Sequence, residues 1–178
     1  MDVLGKVEES RNILEKLGSI IPGWKGYQER QERRKADQIL RQTLADRLAE
    51  QRKRLDVAIN ELIENNRYDL VDNVGSAVTQ LQTFIDRVRF ASYGYSGLFD
   101  AVKINQKELE QIYNFDMALF DYVERLNTAN DRLQEAISTG QGVVETVRII
   151  RDICREANNT FDEREHLVLE SGQPGASQ

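Results

Sequence analysis

Glu163 and His166 stand three residues apart, a spacing that sets a carboxylate and an imidazole on one face of a helix. Bundles that hold paired metal ions use that Glu-x-x-His unit on each of two helices. This chain has one such unit and one histidine, so a metal-carboxylate bundle is a minor alternative, with Asp116, Glu163 and His166 as its candidate ligands. Cys154 is the single cysteine, which excludes a disulfide framework and a cysteine-based zinc site. Its place among bulky aliphatics reads as a small buried hydrophobe, not a nucleophile. Gly140-Gln141-Gly142 lacks the rest of either phosphate-binding glycine fingerprint. No catalytic residue, resident metal or cofactor is assigned.

Two polar residues interrupt an aliphatic repeat. Leu109, Ile112, Leu119, Val123, Leu126, Leu133 and Ile137 follow steps of three and four, and the positions left over are Asp116 and Asn130. Polar groups at such seam positions select register or partner number at a cost in stability.

Residues 25–54 hold ten Lys or Arg against five acids in a chain of net charge −6. From residue 99 onward the balance reverses to eight against fifteen. Phosphate contacts are one reading of the basic stretch. The acids Glu29, Asp37 and Glu50 lie four residues before Arg33, Arg41 and Arg54, which favours a solvated helix face. A basic and an acidic end can also attract one another between copies.

Trp24 and Tyr27 flank Lys25 after Pro22-Gly23, as a packed hinge or as an anchor at a membrane surface. Tyr93 and Tyr95 sit on a glycine-punctuated segment, Phe90 to Asp100, suited to binding or to plugging the end of a bundle. The candidate interaction surface is therefore Trp24, Arg33, Arg34, Arg41, Tyr93 and Tyr95.

Those residues must be positioned by helices. Between Gly26 and Gln173 there is no proline. The periodicity predicts a first helix over 2–19, a second over 26–65, a third over 68–92, a fourth from Asn105 to Gly140 and a fifth over 143–166. Asn105 with Glu108 has capping-box spacing, and Asn65-Asn66 offers a left-handed stop. Val71, Val74, Val78, Leu81, Ile85 and Val88 form the third seam, flanked by Ala77, Phe84 and Ala91. The second seam, Leu40, Leu44, Leu48, Leu55, Ile59 and Leu62, skips a turn at Gln51-Arg52.

At 1.5 Å per residue the second helix spans roughly 58 Å and the third roughly 37 Å. The third thus returns only to about the level of residue 42, and the first helix can fold back across the overhang. The expected fold is all-α: an elongated antiparallel up-down bundle of about five helices, with coiled-coil-like packing and long second and fourth helices. Residues 1–170 make one domain, 1–21 being an arm, and 171–178 a disordered tail. The longest unbroken apolar run is Met117 to Phe120, too short to span a bilayer, and the start of the chain lacks a signal-peptide core.

The segments Ile21-Pro22-Gly23-Trp24-Lys25-Gly26-Tyr27 and Arg89-Phe90-Ala91-Ser92-Tyr93-Gly94-Tyr95-Ser96-Gly97-Leu98-Phe99-Asp100-Ala101-Val102-Lys103 together resemble an uncharacterised family of helical bacterial and archaeal proteins. The resemblance implies a cytosolic helical protein and carries no activity. The expected function is a non-enzymatic protein–protein interaction or scaffold module in the cytoplasm, its partner another protein or a second copy. The alternative is a membrane-surface or nucleic-acid adaptor using the basic first half of the second helix.

Overall fold

The computed structural model describes residues 3–91 and 104–170. Five helices carry them: α1 Val3–Ile20, α2 Arg33–Glu64, α3 Tyr68–Phe90, α4 Gln106–Thr139 and α5 Val143–Glu170. No strand occurs among the described residues.

Local chemistry sets the ends. Asn105 Oδ1 accepts from the Glu108 amide, while Glu108 Oε2 accepts from the Asn105 amide, both at 2.9 Å. This reciprocal box satisfies two donors that would otherwise lack intrahelical partners. Asn66, at φ 55°, and Gly140, at φ 73°, take the left-handed conformation that ends α2 and α4.

The short turns after α2 and α4 make two antiparallel hairpins. Within the second, Tyr122 meets Thr160 and Arg125 meets Glu156. The hairpins lie side by side, so α2 runs parallel to α4 and α3 parallel to α5. Gln51 faces Asn130 and Arg54 faces Asp131 in the first pair. Gln80 faces Arg151 and Arg87 faces Asn158 in the second. Sequential neighbours are antiparallel as expected; the side-by-side pairs are not.

The core is a three-four seam from every bundle helix. In α3 the buried stripe is Leu70, Val74, Ala77, Leu81, Phe84, Ile85 and Val88, while Val71 and Val78 are half-buried. The expected seam is thus rotated toward its flank, because α3 packs against both α2 and α5 and buries a wider stripe than a two-stranded coil. Cys154 lies in the α5 seam, where burial pushes its thiol up to about 12. Thiol reagents should therefore leave the folded protein unmodified and label it fully in denaturant, as titration with a chromogenic disulfide would read. Prompt labelling of folded protein would contradict this packing.

One boundary differs from expectation. α2 begins at Arg33, not near residue 26. Gly23 and Gly26 have φ of 74° and 79°, outside helical space. Residues 21–32 form an irregular strap instead. Even so, Arg41 Nη1 donates to the Val88 and Arg89 carbonyls at the end of α3. The first two turns of α2 therefore stand beyond α3, close to the level that the helix lengths predict. α1 packs on α4 beside this overhang.

Candidate functional site

Among the described residues, three bundle helices continue past the end of α3, and the strap packs across them. Ile21, Trp24 and Tyr27 are buried there with Leu17 of α1. Trp24 Nε1 donates to the Ala36 carbonyl at 2.9 Å. The Tyr27 amide donates to the Tyr113 hydroxyl at 2.8 Å, and Arg33 Nε donates to the Tyr27 carbonyl at 2.8 Å. The Tyr27 and Tyr113 rings stack at 5.4 Å, and Trp24 meets both edge-on at 5.2 and 6.0 Å. Each such ring pair adds about 0.5–1.5 kcal/mol beyond its buried area.

Behind the strap lies a cluster of charge. Arg164 of α5 is fully buried. Its Nε donates to Asp116 Oδ1 at 2.6 Å, and its Nη2 to Asp37 Oδ1 at 2.8 Å. The second Asp37 oxygen accepts from Arg41 Nε at 2.8 Å, and the second Asp116 oxygen accepts from the Tyr27 hydroxyl at 2.8 Å. Arg164 Nη2 also lies 3.1 Å from that hydroxyl. Two guanidiniums face two carboxylates, so the cluster is neutral. Its members come from α2, α4, α5 and the strap, while Arg41 extends it to the carbonyl end of α3, where a cation is favoured.

Burial pushes the Asp116 carboxyl up, and Arg164 and the Tyr27 hydrogen bond counter this only in part. Burial opposes the charge of Arg164, yet Asp116, Tyr27 and Asp37 hold its pKa well above the usual value. The Tyr27 phenol is raised well above 10.0, first by burial and then by Asp116. A group whose folded pKa is raised contributes stability that is complete below its unfolded pKa and is lost as pH rises through the folded one. Stability should therefore fall from about pH 10 upward as the unfolded chain loses the phenolic proton. Tyr27→Phe should flatten this alkaline limb while costing about 1–3 kcal/mol at neutral pH, because Asp116 loses a buried donor. Denaturant titrations across pH measure both; an unchanged alkaline limb in the variant would remove Tyr27 from the account.

The structure sorts the candidate residues. Asp116 lies in the charge cluster. Asn130 donates through Nδ2 to the carbonyl and to Oε1 of Gln51, at 3.2 and 3.0 Å. The gap that Gln51 leaves in one seam is thus met by the polar interruption of another, which pins the register of α2 against α4. Trp24, Arg33 and Arg41 are 6%, 6% and 3% exposed. Their place in a candidate interaction surface is corrected: all three are turned inward and hydrogen-bonded within the chain. Arg34 is exposed. Tyr93, Tyr95 and the aromatic plug lie outside the described residues, as does the tail 171–178; Phe90 is exposed.

The expected solvated ion pairs are also redrawn. Asp37–Arg41 forms but is buried. Arg54 reaches across to Asp131 and Asn127 instead of back to Glu50, which pairs with Arg47.

Asp116, Glu163 and His166 do not converge. Asp116 is sealed in the cluster, whereas Glu163 and His166 are exposed on α5 along a shallow groove with Gln111 and Phe115. Among the described residues no three His, Cys, Asp or Glu side chains are grouped to hold a metal ion.

Arg164 and Asp37 escape a reading that ends the seams at their last aliphatic residue. Continuing Val143, Val147, Ile150, Cys154, Ala157 and Phe161 by three lands on Arg164, and by four more on Val168. Running the α2 seam backward from Leu44 gives Arg41 and then Asp37. The spacing is the signal, and the residue types conceal it.

The outer side of the strap borders a cleft of about 370 Å³. Trp24, Ala36 and Ile39 supply its apolar lining, and Lys25, Lys35, Glu29 and Glu32 its charges. The chain matches no family model, no curated protein and no solved structure. Function must therefore be argued from the residues. Among the described residues, no helix is long and apolar enough to cross a membrane.

Proposed function

We propose that the protein is a non-enzymatic interaction or scaffold module that docks an acidic surface of a protein partner. The observation that carries this reading is a division of the ionisable groups at the strap end of the bundle. Asp37, Arg41, Asp116 and Arg164 are buried and bonded to one another, so these four groups are turned away from the cleft. Lys25 and Lys35 line the cleft, Arg30 and Arg34 are exposed next to its lining residues in the chain, and none of the four forms an ion pair with a described residue. Exposed unpaired cations steer association with an acidic surface. Cytoplasmic placement and kinship to the helical prokaryotic family belong to the same proposal.

Cross-linking in the native cell, followed by identification of the captured protein, tests it. Reversing Arg30 and Arg34 to Glu should abolish most of the capture while leaving helicity unchanged by circular dichroism. Capture that survives this reversal would dismiss the basic edge as the docking surface.

A further inference from the structure

We propose that the arm formed by α1 and the strap is an exchangeable element through which two copies of this chain associate. The proposal goes beyond the docking reading: its partner is a second copy, engaged through the arm groove and not through the basic edge. It stands on how the arm is attached. The apolar and aromatic anchors of the arm, Leu17, Ile21, Trp24 and Tyr27, precede residue 28. Their polar contacts are to groups beyond residue 32: the Ala36 carbonyl, the Tyr113 hydroxyl, Asp116 and Arg164. Between the two sets lie residues 28–32, all exposed and outside any helix.

A second copy's arm would therefore meet the same groove and make the same contacts. Only the hinge differs between the closed and the exchanged forms, which is the condition under which swapping is a low-cost route to a dimer. The Tyr27 hydroxyl also makes the exchange specific. It completes a charge cluster built by the receiving copy, so an arm lacking that geometry leaves the second Asp116 oxygen without its Tyr27 donor.

The hinge holds one turn bond, from the Glu32 amide to the Glu29 carbonyl at 3.0 Å. Proline at residue 32 would remove that donor and push Gln31 toward extended backbone. Residue 32 is the N-cap of α2, and neither its amide nor its side chain makes a bond within the helix, so the change removes no bond of α2. Glu32→Pro leaves the arm, its groove and the charge cluster untouched.

Light scattering after refolding across a range of protein concentrations reads the result. Wild type should show a species of twice the 20.5 kDa chain mass that grows with concentration. Glu32→Pro should favour the exchanged form about fivefold per chain, the equivalent of one net hydrogen bond. Trp24 fluorescence should stay that of a buried indole in both forms. Gly26→Ala, which prevents docking of any arm, should abolish the dimer.

Monomers at every concentration in both wild type and Glu32→Pro, with Trp24 buried, would overturn the exchange. So would a dimer that persists in Gly26→Ala. Capture of another protein through Arg30 and Arg34 without any dimer would sink the exchange and leave the docking surface standing. A Glu32→Pro dimer without such capture would do the reverse.

Discussion

Arg164→Ala should lower unfolding stability by about 3–5 kcal/mol, the cost of removing one partner from a buried ion pair. The change leaves Asp37 with Arg41 and leaves Asp116 with only the Tyr27 hydroxyl, in a site closed to water. A domain of this kind has roughly 5–15 kcal/mol in all, so the loss would be visible in any denaturant titration. The pair need not be strongly stabilising as a whole. The Asp116 carboxyl is raised by burial. A raised carboxyl contributes its stability below the unfolded value and loses it as pH rises through the folded one, so the ionised form is held at a net cost. Replacing both partners, Arg164→Met with Asp116→Leu, should therefore recover part of the loss, since Asp37 and Arg41 remain paired while the buried Tyr27 hydroxyl loses its acceptor. A double-mutant cycle separates the two cases. If Arg164→Ala lay within about 0.5 kcal/mol of wild type, the range of ordinary surface changes, the cluster would not be the keystone of this end of the bundle.

The rods were legible in the sequence because aliphatic spacing depends only on which face is buried. The Asn105–Glu108 box, the left-handed stops at Asn66 and Gly140, and the overhang of α2 past α3 are each local consequences of residue type or helix length. The charge cluster was half legible. Asp116 and Asn130 betray themselves by interrupting a seam. Arg164, Asp37 and Arg41 also sit at seam positions, but at its ends, where a charged residue looks like the edge of the helix. Their burial depends on something periodicity does not report: the strap packs over the part of α2, α4 and α5 that extends past Phe90. The inward turn of Trp24 and Arg33 follows from the same closure. An isolated reading of residues 22–35 sees aromatics and cations, whereas the fold supplies the Ala36 and Tyr27 carbonyls that take their donors.

Gly26→Ala should release the arm from the bundle. Two independent effects act at this residue. Its φ of 79° disfavours any side chain, at about 1–2 kcal/mol. A Cβ built there would also lie 2.8 Å from Leu14 Cδ1 and 2.8 Å from the Tyr113 hydroxyl. The first contact is the end of a side chain that could shift. The second is the oxygen holding the Tyr27 amide, so moving it breaks a bond as well as a packing contact. Overpacking of this kind adds about 1–3 kcal/mol. The total loss is capped, because the chain can escape by undocking residues 3–27 as a unit while the helix pairs of α2 to α5 stay packed. The expected signature is therefore local. Trp24 emission shifts to that of a solvated indole, exchange protection falls in the strap, and helicity of the four longer helices persists. A cooperative loss of the whole fold would show that the arm is integral to the bundle, and an unshifted Trp24 would show that Gly26 is not the close contact on which its docking depends.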